Sequence, residues 1–181
     1  SDGIAQTGDF DATATVANGA LVTDGDGDAF TVDTAGSSDN AFDLSAGTIV
    51  AQFNQSTHIG TSPDTIVNRC EYDDRATEGF FEISVTEDGR VAVDHEDGAA
   101  KISLKTAAGF FAPGDDVRGT YSWDAATGVI FEVENLTDGT EVKLNDATEN
   151  LTMAIGDNDD ESFTIAAGEA SDGVTDQFFA G

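Results

Sequence analysis

The segment that decides the fold runs from Gly79 to Asn135, GFFEISVTEDGRVAVDHEDGAAKISLKTAAGFFAPGDDVRGTYSWDAATGVIFEVEN. Apolar residues take alternate positions in several runs of this segment: Phe81, Ile83 and Val85; Val91 and Val93; Val117, Tyr121 and Trp123; Val129, Phe131 and Val133. Turn sequences that contain glycine, Glu87–Arg90 and Asp124–Gly128, separate neighbouring runs. Alternation between such turns predicts antiparallel strands with one buried face.

The rest of the chain shows the same pattern, with short strands at a spacing of about ten residues and no helical period, as in a sandwich or barrel. Thr48 to Phe53 (TIVAQF) is apolar on both faces, which predicts a central strand. Alternation resumes near the C-terminus at Leu151, Met153, Ile155, Phe163 and Ile165. We therefore expect an all-β protein.

The chain has 181 residues, which suffices for one domain with a hydrophobic core. We expect residues 20–181 to form a single antiparallel β-sandwich. Residues 1–19, in which Phe10, Ala12, Ala14 and Val16 alternate with polar residues, are expected to be an N-terminal edge strand or a linker. The opening Ser1-Asp2-Gly3 is typical of a domain excised from a larger protein.

The composition is strongly acidic, with 36 Asp and Glu against 7 Lys and Arg and a net charge of −29. Such a surface repels phosphate backbones and anionic membranes, so neither nucleic acid nor a membrane surface is an expected partner. No apolar run is long enough to cross a bilayer. Two compatible interpretations remain: a secreted domain whose carboxylates are partly neutralised by calcium, and adaptation to a marine or halophilic environment in which salt screens self-repulsion.

Two acidic loops are candidate calcium sites. Asp24, Asp26 and Asp28 lie at alternate positions of a turn, and three converging carboxylates suit a cation that takes six to eight oxygen ligands. The loop is not an EF-hand, because Ala29 and Ala35 occupy its required Gly and Glu positions. The second loop contains Asp157, Asn158, Asp159 and Asp160. For each loop the alternative is a solvated turn in a chain rich in Asp.

Signals for catalysis are weak. His58 and His95 have no Cys or His neighbour at ligand spacing, and the lone Cys70 excludes an intramolecular disulfide. No E-x-D-x-x-E pattern of a retaining glycosidase is present, and Glu132 and Glu134 are expected on a solvated strand face. The residue pair Tyr121 and Trp123 is predicted to be core, with a sugar-stacking platform as the alternative. We expect a non-enzymatic domain.

The order of several short motifs resembles the laminin-G-like, concanavalin A-like jelly-roll domains of bacterial surface proteins. The matching segments are Ala20–Val22, Ala29–Val32, Phe42–Leu44, Thr48–Phe53, Thr65–Arg69, Gly79–Ile83, Val117–Tyr121, Ala126–Gly128, Met153–Gly156 and Phe178–Gly181. The resemblance covers residues 20–181. It implies a jelly-roll β-sandwich within a large secreted or surface-attached chain, with any calcium in loops at one rim. Domains of this type continue past Phe178–Gly181 into a last acidic strand, and here residues 10–16 are the candidate to fill that edge.

The function that we expect is calcium-dependent carbohydrate binding or cell adhesion by an extracellular or cell-surface module. Its partner would be a carbohydrate or a cell-surface or matrix protein, and the sequence assigns no ligand-binding residues. The alternatives are a structural spacer or protein-interaction domain of an acidic, salt-adapted extracellular protein, and a domain of a polysaccharide-degrading enzyme.

Overall fold

The structure is a computed structural model of the 181-residue chain. It describes residues 44–57, 63–69, 79–98, 100–149, 151–153, 163–166 and 179–180 in full. It also gives the backbone of short strands at residues 8–10, 15–17, 20–22, 30–32, 168–171 and 174–176.

The described residues form antiparallel β-sheets. The strands are β1 Gly8–Phe10, β2 Thr15–Ala17, β3 Ala20–Val22, β4 Phe30–Val32, β5 Ala46–Asn54, β6 Asp64–Arg69, β7 Phe80–Val85, β8 Val91–Asp97, β9 Ala100–Lys105, β10 Asp116–Asp124, β11 Gly128–Asn135, β12 Thr140–Asp146, β13 Phe163–Ile165, β14 Gly168–Ser171 and β15 Val174–Asp176. One sheet has seven strands in the order β1-β4-β13-β6-β7-β8-β9, and the other has four in the order β12-β11-β10-β5. Two further pairs are β2 with β3 and β14 with β15.

The segment from Gly79 to Asn135 supplies strands to both sheets, which confirms the hairpins expected from its alternation. β7, β8 and β9 are consecutive neighbours in the seven-stranded sheet, and β10 and β11 pair in the four-stranded sheet. Gly89 closes the β7–β8 turn with a φ of 72°, and a Cβ atom there would lie 2.4 Å from the carbonyl oxygen of Phe111. Only glycine fits this turn, because both the left-handed backbone and the close approach exclude a side chain.

The hydrophobic core lies between the two sheets. Alternate residues of β7, β8, β10 and β11 face inward and are almost fully buried: Phe81, Ile83, Val85, Val91, Val93, Val117, Tyr121, Phe131 and Val133. β10 and β11 each have one buried face, as the sequence predicts, whereas β7 is buried at all six positions and β8 at five of seven. Burial of such side chains contributes roughly 1.5–3 kcal/mol each relative to exposure, which makes this layer the main source of stability.

The prediction that Thr48 to Phe53 is a central strand is wrong. β5 lies at the end of the four-stranded sheet, beside β10, in the part of the chain that the structure describes. Its inward residues include Ala51 and Phe53, whereas Val50 points outward and is 60% exposed. A β-branched residue on the solvent face made the run look apolar on both sides.

Leu151 and Met153, which alternate in the sequence, are both completely buried. Residues 151–153 nevertheless do not form a strand. The backbone of Met153 is instead bonded to other segments: its N–H donates to the carbonyl of Leu44 at 3.0 Å, and its carbonyl accepts from Arg69. Residues 154 and 155 lie outside the described part. The predicted strand at Phe163 and Ile165 is confirmed as β13.

At the N-terminus, β1 pairs with β4 at the end of the seven-stranded sheet. Residues 11–14, the middle of the N-terminal strand that the sequence predicts, lie outside the described part. β2 pairs with β3 in a separate two-stranded ladder.

Gly47 makes room for Trp123. The two residues are opposite one another in the β5–β10 ladder, and the indole ring lies over the glycine. A Cβ atom on Gly47 would be 2.4 Å from Cη2 of Trp123. The indole Nε1–H donates to the carbonyl of Leu44 at 2.9 Å, so the ring cannot shift without losing this bond.

We predict that Gly47→Ala destabilises the protein by about 1–3 kcal/mol, since overpacking displaces a buried ring from its rotamer. Urea unfolding, followed by the fluorescence of the chain's one tryptophan, measures the change. The matched control is Gly119→Ala, where the added Cβ would lie 3.4 Å from Phe131, an ordinary contact. Equal stability of the two variants would contradict the close packing of Trp123 on Gly47.

Candidate functional site

The predicted calcium ligands fall outside the described residues, and so do His58 and Cys70. These ligands are Asp24, Asp26, Asp28, Asp157, Asn158, Asp159 and Asp160. Among the residues that the structure does describe, no group of three or more His, Cys, Asp or Glu side chains is placed to hold a metal ion. The calcium site therefore stays a prediction.

A shallow groove of about 340 Å³ lies on the outer face of the four-stranded sheet. We call it the outer groove, and it is lined by Arg118, Thr120, Glu132, Val133, Glu134, Glu141, Val142 and Lys143. Its charged side chains come from alternate positions of β10, β11 and β12, opposite in phase to the core residues. The register brings them together, because Arg118 is directly opposite Glu134 and Glu132 is directly opposite Lys143.

The charges of the outer groove are arranged as cross-strand ion pairs. The Arg118 guanidinium contacts the Glu134 carboxylate, and the Lys143 ammonium lies 2.5 Å from the Glu132 carboxylate. All of these side chains are at least one third exposed. Pairs exposed to this degree contribute only ~0–1 kcal/mol each to stability. The fold therefore does not depend on them.

The outer groove combines donors and acceptors at short range. It holds two of the chain's seven basic residues together with three carboxylates. Glu141 is directly opposite Glu134, a like-charge neighbour. Guanidinium, ammonium, hydroxyl and carboxylate groups within one sheet face suit a ligand that presents several hydroxyl groups, each of which both donates and accepts hydrogen bonds. The expectation that Glu132 and Glu134 are solvated is confirmed.

The alternative in which Tyr121 and Trp123 form a sugar-stacking platform is wrong. Tyr121 is fully buried and Trp123 is 5% exposed, and their rings stack with centroids 6.0 Å apart inside the core. Both residues lie on the same face of β10 as Val117, which is the face that points into the core.

A buried polar node joins the two sheets. His95 is fully buried, with Nδ1 2.7 Å from the Tyr121 hydroxyl and Nε2 2.9 Å from the Thr152 carbonyl oxygen. A carbonyl oxygen can only accept, so Nε2 carries the proton and Nδ1 accepts from Tyr121. The Thr152 N–H in turn donates to the Asp97 carboxylate at 2.7 Å. The sequence analysis missed this node. His95 is at an alternate position of the same strand as Val91 and Val93, and this spacing could have indicated that it faces the core.

The node is structural. Burial lowers the pKa of His95 to about 4 and raises the pKa of Tyr121. The imidazole is therefore neutral and the phenol protonated at neutral pH. Both groups are enclosed between the sheets, away from any ligand on the outer face.

Asp115 and Asp116 form hydrogen bonds where the turn that begins at Ala112 meets β10. The Asp115 carboxylate accepts from the N–H of Ala112 at 2.9 Å and from the Asn135 amide at 3.0 Å. These bonds favour the ionised form and lower the pKa of Asp115. The Asp116 carboxylate accepts from the Asn54 amide at 3.0 Å.

No described helix is long and apolar enough to cross a membrane. The sequence matches no family model and no curated protein. Solved structures match, with the same fold at low identity. The chain has a jelly-roll β-sandwich fold, which is also the fold of laminin-G-like and concanavalin A-like domains.

Three of the matching structures show the range of this fold. The LG1-3 region of the laminin α2 chain is 12% identical with a TM-score of 0.60, over 87% of this chain and 28% of that one. Full-length tailspike protein 2 from an Escherichia coli O157:H7 bacteriophage is 12% identical with a TM-score of 0.60, over 97% of this chain and 24% of that one. The CBM40 of the Ruminococcus gnavus IT-sialidase, bound to α2,3-sialyllactose, is 12% identical with a TM-score of 0.58, over 83% of this chain and 80% of that one.

The chain thus spans about a quarter of the laminin and tailspike chains and most of the CBM40. At this level of identity the matches establish the fold alone.

We predict that acid destabilises the protein through His95. The pKa of His95 is about 4 when folded against 6.5 as a model value, so protonation favours the unfolded state. Its contribution is complete above pH 6.5 and is lost as the pH falls towards 4. The loss amounts to about 3 kcal/mol.

Urea unfolding of the wild type and of His95→Gln at pH 7, 5.5 and 4.5 measures this loss. The difference in unfolding free energy between the two proteins should shrink as the pH falls, while carboxylate titration affects both alike. His58→Gln separates the contribution of the chain's other histidine. A difference between wild type and His95→Gln that does not vary with pH would contradict the buried neutral imidazole.

Proposed function

We propose that this domain is a non-catalytic carbohydrate-binding module and that its ligand lies along the outer groove. The observation that carries the proposal is the ladder formed by Arg118, Glu134, Glu132 and Lys143. These side chains offer charged donors and acceptors to solvent without contributing much to the fold. Sugar hydroxyls are good partners for such groups, because hydrogen bonds to charged groups are worth about 1.5–3 kcal/mol each.

The comparison with the CBM40 supports the proposal. That protein is a solved structure with sialyllactose bound, and this chain matches it over most of the length of both. The two domains therefore share one fold over most of their length. A non-catalytic role also fits the groove, where Glu132 and Glu134 are each within bonding distance of a cation.

We further propose that the module belongs to a longer, extracellular chain that adheres to carbohydrate. The laminin and tailspike chains that share its fold are about three and four times its length, respectively. A net charge of −29 suits a medium of substantial ionic strength, where self-repulsion is screened.

Screening the domain against an array of oligosaccharides, followed by calorimetry on the ligands found, tests the proposal. We predict that Arg118→Ala and Glu132→Ala each weaken binding at least about tenfold, the factor that corresponds to one lost charge-assisted hydrogen bond. Both variants should keep the unfolding free energy of the wild type within about 1 kcal/mol, since the ion pairs are exposed.

Lys105→Ala is the matched control, because it removes an exposed basic residue from β9 of the other sheet. It should bind as the wild type does. Binding that is unaffected by Arg118→Ala would move the site away from the outer groove. The absence of binding to every oligosaccharide, with calcium present, would favour a structural spacer.

We propose calcium as the cofactor of this module, held by the loop of Asp24, Asp26 and Asp28 or by the loop of residues 157–160. The support is chemical: alternate carboxylates in a short acidic loop supply the hard oxygen ligands that calcium requires. Calcium in either loop would order a rim of the sandwich and neutralise part of the negative charge.

A thermal melt in millimolar calcium, against chelator at fixed ionic strength, tests this cofactor. Saturation at ~100 times the dissociation constant adds about 2.7 kcal/mol of stability. We predict an increase in melting temperature that magnesium does not reproduce, and that either Asp26→Asn or Asp159→Asn reduces. Equal melting temperatures in calcium and magnesium would leave charge screening as the role of the acidic loops.

A further inference from the structure

The outer edge of β5 is open in the part of the chain that the structure describes. β5 is the last strand of the four-stranded sheet and pairs with β10 along its whole length, from Ala46 opposite Asp124 to Asn54 opposite Asp116. The outward side chains along it are exposed, with Val50 at 60%. Such an edge presents a row of backbone N–H and C=O groups that another strand can pair with.

The sequence of β5 does not protect this edge. Its nine residues, AGTIVAQFN, contain no charge and no proline, in a chain with 43 charged residues. The strand at the opposite end of the same sheet, β12, carries Glu141, Lys143 and Asp146. Natural proteins place charges on edge strands to prevent pairing between molecules. β12 is protected in this way and β5 is not.

The residues of β5 are complementary to β5 itself in the antiparallel sense. With Val50 opposite Val50 of a second copy, Gln52 lies opposite Thr48 and Phe53 lies opposite Gly47. On the outer face, valine meets valine and an amide meets a hydroxyl. On the inner face the largest side chain meets the smallest. Cross-strand pairs of this kind contribute to strand association, and no like charges oppose one another.

We propose that β5 pairs with β5 of a second copy of this chain about a two-fold axis at Val50. The two four-stranded sheets then form one continuous eight-stranded sheet. Such an interface is isologous, because the same strand serves both copies. The net charge of −29 on each copy opposes the approach, while the contact strand itself is uncharged. Association therefore strengthens with salt, unlike an interface built on ion pairs.

The proposed dimer does not depend on the proposed carbohydrate function, but it has a consequence for it. A two-fold axis perpendicular to a continuous sheet places both outer faces on the same side. The two outer grooves would then face one surface together, and a ligand with repeated units could engage both.

Sedimentation equilibrium of the purified chain at 0.1 M and 1 M sodium chloride tests the proposal. The screening length falls from about 10 Å to about 3 Å between these conditions. We predict a monomer–dimer equilibrium whose dissociation constant falls with added salt. Val50→Lys places two lysines directly opposite each other at the axis and should raise the dissociation constant at least about tenfold.

Ile130→Lys is the matched control. Ile130 is also an exposed apolar residue of the outer face, but it lies on β11, which has strand neighbours on both sides. This variant should dimerise as the wild type does, and the circular dichroism of both variants should show that they are folded. Hydrogen exchange gives an independent readout, since amides of residues 46–54 should gain protection at 1 M salt in the wild type and in Ile130→Lys but not in Val50→Lys.

The proposal is overturned by a monomer at both salt concentrations, by equal effects of Val50→Lys and Ile130→Lys, or by association that weakens with salt. A monomer that binds a synthetic peptide of residues 46–54 would likewise overturn it, because the edge would then accept an extended peptide rather than a second copy.

Discussion

Tyr121 fixes the position of one sheet on the other. Its ring contacts Trp123 and Phe131 of its own sheet, with centroids at 6.0 and 6.4 Å, and Phe81 and His95 of the facing sheet at 5.4 and 5.7 Å. Apolar burial alone would allow the sheets to slide. The hydrogen bond from the Tyr121 hydroxyl to His95 is directional, and breaking it inside the core would leave a buried polar group unpaired. The polar node therefore specifies one arrangement of a layer that hydrophobicity alone would leave free.

The inner and outer faces of the four-stranded sheet are under different constraints. Along β10 the inward residues are held by aromatic packing, while Arg118 and Thr120 on the other side line the outer groove, where Arg118 pairs with Glu134. Side chains on the outer face can therefore be arranged for a ligand without loss of the core. The strong acidity of the chain is likewise independent of the core, because net charge affects solubility and association rather than the fold.

The sequence was sufficient for the strands and for the class of fold. Tyr121 and Phe131 alternate with less buried neighbours because β10 and β11 each have one buried face, and local period determines that pattern. The order of the strands in the sheets was less accessible. β5 was expected in the centre because Val50 and Ile49 look alike in sequence, and only its pairing shows that Val50 faces solvent.

The candidate site was predictable only in its parts. The solvated position of Glu132 and Glu134 followed from their phase on β11, opposite to Phe131 and Val133. The ion-pair partners of these two residues could not be predicted in the same way. Lys143 and Arg118 are brought opposite them by the register of three strands, which the phase of one strand does not determine. The link between His95 and Tyr121 depends on how the sheets face each other, which a single sequence does not encode locally.

The connectivity of the seven-stranded sheet also governs how the chain can be made. Val32 of β4 lies opposite Phe163 of β13, and β13 then joins β6. During synthesis from the N-terminus, β4 and β1 therefore have no route into this sheet until the chain has grown past β13. The hairpins of β7, β8 and β9 use neighbouring segments and can form much earlier, since closing a short loop costs less entropy. We therefore expect the sandwich to assemble from its middle outward, with its completion waiting until β13 has been translated.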